Sequence, residues 1–138
     1  MFVRDGDGGL SLSEIVNKYK PTMILRMSAV GGLFAEDLIR DMAKHCNRPI
    51  IFPHATSKVE CTAEQAYRWT DGRALFACGS PFDPVTLNGR THVPWQGNNS
   101  YIFPGLGLGA IVAKARHVTD DMFLAAAHTL SARVTEQD

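Results

Sequence analysis

Three apolar runs, each too brief for a helix and set apart by amphipathic segments, constrain this chain more than any other feature. They are Thr22-Met23-Ile24-Leu25, Ile50-Ile51-Phe52 and Ala74-Leu75-Phe76-Ala77-Cys78. Runs of that length bounded by Gly and Pro read as buried strands. Between the first two, Gly31 and Gly32 lead into Leu33–Met42, where Phe34, Leu38 and Met42 recur at helical spacing. Asn47-Arg48-Pro49 ends that helix. Between the second and third, Thr62 and Gln65 have capping-box spacing and open a helix through Ala66, Tyr67 and Trp69 that stops near Asp71-Gly72. Ser11 and Glu14 share that spacing and start a short helix over Leu12, Ile15, Val16 and Tyr19, stopped by Pro21. Strands that are apolar throughout, rather than alternating, predict a parallel sheet covered on both faces, with right-handed crossovers.

The expected fold class is therefore α/β: a partial doubly wound, Rossmann-like parallel sheet with flanking helices and the first half of the sheet missing. Only three strands are legible, and no Gly-x-Gly-x-x-Gly turn follows any of them, although such a turn normally binds the pyrophosphate. Beyond the third strand, Phe82–Asn98 is rich in Pro, Gly and Asn, with Asn88-Gly89 as a tight hairpin turn. Tyr101–Val112 is apolar and small, and Pro104 is expected to kink or interrupt a helix there. Gly105, Gly107 and Gly109 read as a surface on which another backbone packs closely, not as a phosphate loop. Thr119 caps a last helix with Met122, Phe123, Ala126, Leu130 and Val134 on its apolar side. Residues 1–10, rich in Gly and Asp, form a lead-in to a single domain over 11–138.

Composition narrows the function. Fourteen basic and fourteen acidic residues cancel, leaving no electrostatic footprint for nucleic acid or an anionic membrane surface. No apolar stretch is long enough to span a bilayer, and no leader of secretory or arginine-rich type is legible. An intracellular protein, cytoplasmic rather than organellar, is expected. Cys46, Cys61 and Cys78 are odd in number and widely spaced, which fits free thiols and not a zinc site. The histidines at 45, 54, 92, 117 and 128 are scattered and read as surface or packing residues.

Longer runs carry a resemblance. They are Lys20-Pro21-Thr22, Gly31-Gly32-Leu33-Phe34, Arg48-Pro49-Ile50-Ile51-Phe52, the stretch from Thr56 to Tyr67, Gly79-Ser80-Pro81-Phe82-Asp83-Pro84-Val85, the stretch from Gln96 to Gly105, and Val118-Thr119-Asp120-Asp121-Met122-Phe123-Leu124. In this order, from Lys20 to Val134, the chain resembles the C-terminal part of the dinucleotide-binding domain of the malic enzyme family. The resemblance implies oxidation of malate by NAD or NADP, with Mg²⁺ or Mn²⁺ polarising the developing carbonyl, followed by decarboxylation to pyruvate. The family's proton-transfer lysine and tyrosine, its metal-holding carboxylates and its phosphate-binding turn all precede the matched segment. No catalytic residue and no metal ligand is therefore expected here, and the chain alone is expected to be inactive.

What carries over is a malate-binding amide at Asn98, with Asn99 as its neighbour. An asparagine offers donors and an acceptor to a carboxylate and a hydroxyl. Without the resemblance, Asn98 reads simply as closing a turn before a helix. Ser28 and Gly31, at the carboxyl end of the first strand, are candidate cofactor contacts. The chain also departs from the family. Arg26 and Trp95 stand where glycine is usual, and Phe52 is followed by Pro53-His54-Ala55-Thr56-Ser57 in place of a longer segment containing an asparagine. Arg26 would either crowd the nicotinamide ribose or reach solvent. The implied partners are malate, a nicotinamide dinucleotide, and other copies or full-length subunits of an oligomer. The alternative reading is a non-catalytic, truncated module that associates with full-length subunits or binds nucleotide weakly.

Overall fold

The structure, a computed structural model, describes residues 8–26, 33–53 and 61–134. The chain divides into two compact units, Met1–Gly97 and Asn98–Asp138.

The first unit is built on a parallel sheet. Strands β1 (Met23–Arg26), β2 (Ile50–Pro53) and β3 (Leu75–Cys78) lie side by side in that order, and a fourth, β6 (Trp95–Gln96), adds beside β3. All three pairings are parallel, with Ile24 opposite Ile51 and Ile51 opposite Phe76. Helix α1 (Leu12–Tyr19) precedes β1, α2 (Glu36–His45) connects β1 to β2, and α3 (Ala63–Trp69) connects β2 to β3. Both capping boxes form. The Ser11 hydroxyl and Glu14 carboxylate satisfy each other's backbone N–H groups at the start of α1, and Thr62 and Gln65 do the same for α3. Helix α2 starts three residues later than the sequence pattern suggests, yet Phe34, just ahead of it, is buried with Leu38, Ile39 and Met42.

Because the strands run in order across the sheet, right-handed crossovers place their helices on one face. The core lies there: Ile24, Ile51, Phe76 and Cys78 from the sheet meet Val16, Leu38, Ile39, Met42, Ala63, Ala66 and Tyr67 from the helices. Burial along the strands accordingly alternates, and Met23, Leu25 and Leu75 on the opposite face are 52, 49 and 37% exposed. The expected fold class, a partial Rossmann-like parallel sheet flanked by helices, is present. An apolar strand identifies a position in a sheet, but which face is covered depends on where the connecting helices go.

Two polar residues fasten the helices to the strands. Thr70, fully buried, donates its hydroxyl to Ala66 O at 2.7 Å and accepts from Ala74 N at 3.1 Å, joining the end of α3 to the start of β3. The Arg73 guanidinium donates to Ala43 O from both terminal nitrogens at 3.2 and 3.3 Å, and also to Asn47 O. A cation on the last carbonyls of α2 is favoured by both hydrogen bonding and the helix dipole.

The hairpin expected at Asn88-Gly89 is present as β4 (Val85–Leu87) and β5 (Arg90–His92). Asn88 and Gly89 both have positive φ, 52° and 76°, as a two-residue hairpin turn compatible with strand twist requires.

The second unit is helical. A 3₁₀ turn, Asn99–Tyr101, leads into α4 (Phe103–Val112), and α5 (Asp120–Ser131) follows with Thr119 as its cap. Pro104 does not break α4. It occupies the first turn, where the missing N–H has no intrahelical partner to lose. Among the described residues a Cβ added at Gly105, Gly107 or Gly109 would meet nothing within 4 Å, so the glycines of α4 open onto free space. Asp120 and Asp121 lie in the first turn of α5, as expected from the helix dipole. An open apolar groove of about 520 Å³ runs between α4 and α5, lined among others by Tyr101, Gly105, Gly109, Met122, Ala126 and Arg133. Among the described residues, no helix is long and apolar enough to cross a membrane.

Candidate functional site

In a parallel α/β sheet, ligands bind beyond the carboxyl ends of the strands, where loops leave the sheet and helices begin. Here those ends are Arg26, Pro53, Cys78 and Gln96. Three of them are tied together. The Cys78 thiol points at Pro53 O, 3.1 Å away, and Cys78 O accepts from Gly97 N at 2.9 Å. The Gln96 side chain donates to Gly79 O at 3.4 Å. Cys61 and Cys78 are buried and Cys46 is partly so, and no disulfide joins them.

Arg26 is 4% exposed and shares the helix-covered face with Ile24. Of the two readings offered for it, escape to solvent is excluded by that burial. Trp95 lies in β6, opposite Ala77, and is 47% exposed. The sequence pattern had missed this strand, which is only two residues long and sits between Pro94 and Gly97.

The cofactor candidates Ser28 and Gly31 lie outside the described residues, as does the shortened stretch from His54 to Ser57. Asn98 and Asn99 are described and exposed. Asn98 has extended backbone angles, φ −126° and ψ 138°, and its Oδ1 accepts from Ser100 N at 2.9 Å, capping the 3₁₀ turn. The turn-closing role and the binding role are therefore compatible on different atoms. The oxygen serves the turn, and among the described residues Nδ2 has no partner. Asn99 forms the first residue of that turn, and its carbonyl accepts from Ile102 N at 3.0 Å.

No group of three His, Cys, Asp or Glu side chains lies close enough to hold a metal ion among the described residues. The histidines found there serve structure where they make contacts: His45 Nε2 lies 3.1 Å from Pro21 O, and the His92 ring stacks on Tyr67. Tyr67 is buried, and loss of solvent pushes its phenol above the ordinary tyrosine value.

A parallel sheet with crossover helices and a tied carboxyl edge is part of a Rossmann-like α/β domain. Comparison with known proteins makes this specific. Residues 3–138 match the model of the malic enzyme NAD binding domain, and the chain belongs to that family. It is 55% identical over 130 residues to an NADP-dependent malic enzyme of Dictyostelium discoideum, covering 93% of this chain and 24% of that one. Against the mitochondrial NADP-dependent malic enzyme of Homo sapiens it is 49% identical over 140 residues, covering 99% of this chain and 23% of that one. The enzyme of Anas platyrhynchos is likewise 49% identical, over 131 residues. The chain thus spans about a quarter of the length of these relatives.

Proposed function

We propose that this chain serves the oxidative decarboxylation of malate to pyruvate with a nicotinamide dinucleotide, and that it supplies the turn that holds malate rather than the groups that transform it. In this reading Asn98, with Asn99 beside it, is the malate contact, and the 138 residues alone turn nothing over. The observation that carries it is the division of labour on the Asn98 amide. With Oδ1 held by Ser100 N at 2.9 Å, the side chain is fixed, and Nδ2 is left to donate to an anionic acceptor such as a malate carboxylate.

The bound dinucleotide would accept the hydride from C2 of malate, and a divalent cation would belong to residues outside this set, since no described cluster fits one. NADP is favoured over NAD because the relatives named above are NADP-dependent malic enzymes. Cytoplasmic residence is part of the proposal and is checked by immunofluorescence. Association with further copies or with longer subunits has support of its own: Met23, Leu25 and Leu75 leave apolar surface on the face of the sheet opposite the α1–α3 core. Sedimentation of the purified chain tests that association.

The test of function is direct. The isotopically labelled chain is titrated with malate in the presence of NADP⁺, and NADPH formation is followed in parallel with Mg²⁺ added. The Asn98 side-chain amide resonances are expected to move saturably while no NADPH accumulates. A silent Asn98 amide would refute the malate contact, and malate-dependent NADPH formation by the chain alone would refute its inactivity.

A further inference from the structure

The last strand of the sheet ends at Gln96, and Gly97, which joins it to Asn98, is held from two directions. Its N–H donates to Cys78 O at 2.9 Å, continuing the β3–β6 ladder by one bond. Its missing side chain is replaced by the ring of Phe52. A Cβ added at Gly97 would lie 2.6 Å from Phe52 Cε2 and closer still to Cζ. No real Cβ sits so near a ring carbon, so any larger residue at 97 would displace either the ring or the chain. Gly97 has no positive φ, and the demand for glycine is one of space.

Phe52 lies on β2, and β3 is hydrogen-bonded between β2 and β6. Its ring therefore crosses β3 on the face opposite the α1–α3 core, where β3 contributes the small residue Ala77, and reaches the backbone at the far strand. Phe52 is half-buried and has Pro53 and its tie to Cys78 directly after it.

We infer that Phe52 is a positioning residue for substrate binding: its ring holds the backbone of Gly97, the residue to which Asn98 is directly bonded, in place beside β3. This inference rests on the reading of Asn98 as the malate contact. The place of this backbone matters because a hydrogen-bonding group displaced by about 1 Å loses much of its effect, on the order of a hundredfold where reaction geometry depends on it. Phe52 touches neither substrate nor cofactor in this account.

The experiment uses the full chain carrying Gly97→Ala, Phe52→Leu, and both together. The first readout needs no ligand: the resonances of the Ser100 amide, which is bonded to Asn98 Oδ1, and of the Asn98 side-chain amide. Gly97→Ala is expected to shift both, and the added Phe52→Leu, which makes room for the new methyl, is expected to bring them back. The second readout is malate affinity, expected to fall about tenfold in Gly97→Ala and to recover in the double variant. Both readouts are taken under conditions where urea denaturation shows every variant fully folded, so that loss of stability alone moves neither. Unchanged Asn98 and Ser100 resonances in Gly97→Ala, or effects that simply add in the double variant, would overturn the inference. If the resonances follow the predicted pattern but malate moves nothing in the wild-type chain, the ring sets the turn and the malate reading is what fails.

Discussion

The imidazole of His92 lies stacked on the ring of Tyr67, centroids 4.7 Å apart and planes 28° from parallel. Tyr67 meets Phe76 in turn, and Phe76 meets Phe82 edge-on at 5.6 Å. An aromatic path thus runs from β3 through α3 to the last residue of β5, and it packs the β4–β5 hairpin against α3 within the first unit. Gly72 completes the fit, because a Cβ there would lie 2.9 Å from the His92 ring.

Replacing His92 by alanine is expected to cost about 1 kcal/mol, the worth of one such ring contact beyond its area. Gly72→Ala should cost at least as much, since it adds left-handed strain at φ +74° to the collision. Urea midpoints of the two variants check both values. A midpoint unchanged in His92→Ala would mean that the hairpin is held by Val85 and Leu87 alone.

The two ends of the pH scale should report different groups. The Ser11 hydroxyl, and after it the Ser11 backbone N–H, hold the Glu14 carboxyl below the ordinary glutamate value. A depressed carboxyl stabilises the fold above its unfolded pKa, and that contribution is lost as pH falls through the folded value. Ser11→Ala should flatten this acid limb. Tyr67 has the opposite sign. Its phenol is raised by burial, so stability is level below the ordinary tyrosine value and falls as pH rises past it. Tyr67→Phe should remove the alkaline loss, as read by chemical denaturation across pH.

Thr62→Ala removes the side-chain oxygen that accepts from Gln65 N at 3.2 Å and should destabilise the chain by about 1 kcal/mol. Thr62→Ser should restore most of it. Thermal melts of the pair distinguish the lost cap from a general loss of packing.

Helix α4 carries three glycines whose Cβ positions open onto empty space. Gly107→Ala should therefore raise helicity and stabilise the second unit by roughly 1 kcal/mol, since only backbone entropy changes. Far-ultraviolet circular dichroism measures the gain. A loss of helicity would show that a backbone does approach α4 in solution.

What could be read from sequence was what is local. Ser11 with Glu14, Thr62 with Gln65, and Asn88 with Gly89 each encode a cap or turn within four residues, and each forms. The apolar runs marked β1, β2 and β3 because a strand needs only a few contiguous residues to declare itself. The tertiary features stayed hidden. β6 has two residues and no pattern, and it exists because the edge of β3 accepts it. One-sided burial of the sheet follows from crossover geometry that no apolar strand encodes. Arg73 looks like any surface arginine, but its guanidinium caps α2 from 30 residues away. At the site, the likeness to malic enzymes singled out Asn98, yet the reason for glycine at 97 lies in Phe52, which is distant in sequence and two strands away.

The account turns on whether these residues can perform the family's work when the rest of such an enzyme surrounds them. The direct measurement is malate-dependent NADPH formation by the Dictyostelium discoideum NADP-dependent malic enzyme with its matching 130-residue stretch replaced by this chain's. The chimera is expected to turn over malate, and Asn98→Ala within it to lower kcat/KM on the order of a hundredfold while NADP⁺ binding persists. A chimera that assembles and binds NADP⁺ but forms no NADPH, or an Asn98→Ala form that turns malate over undiminished, would contradict the account.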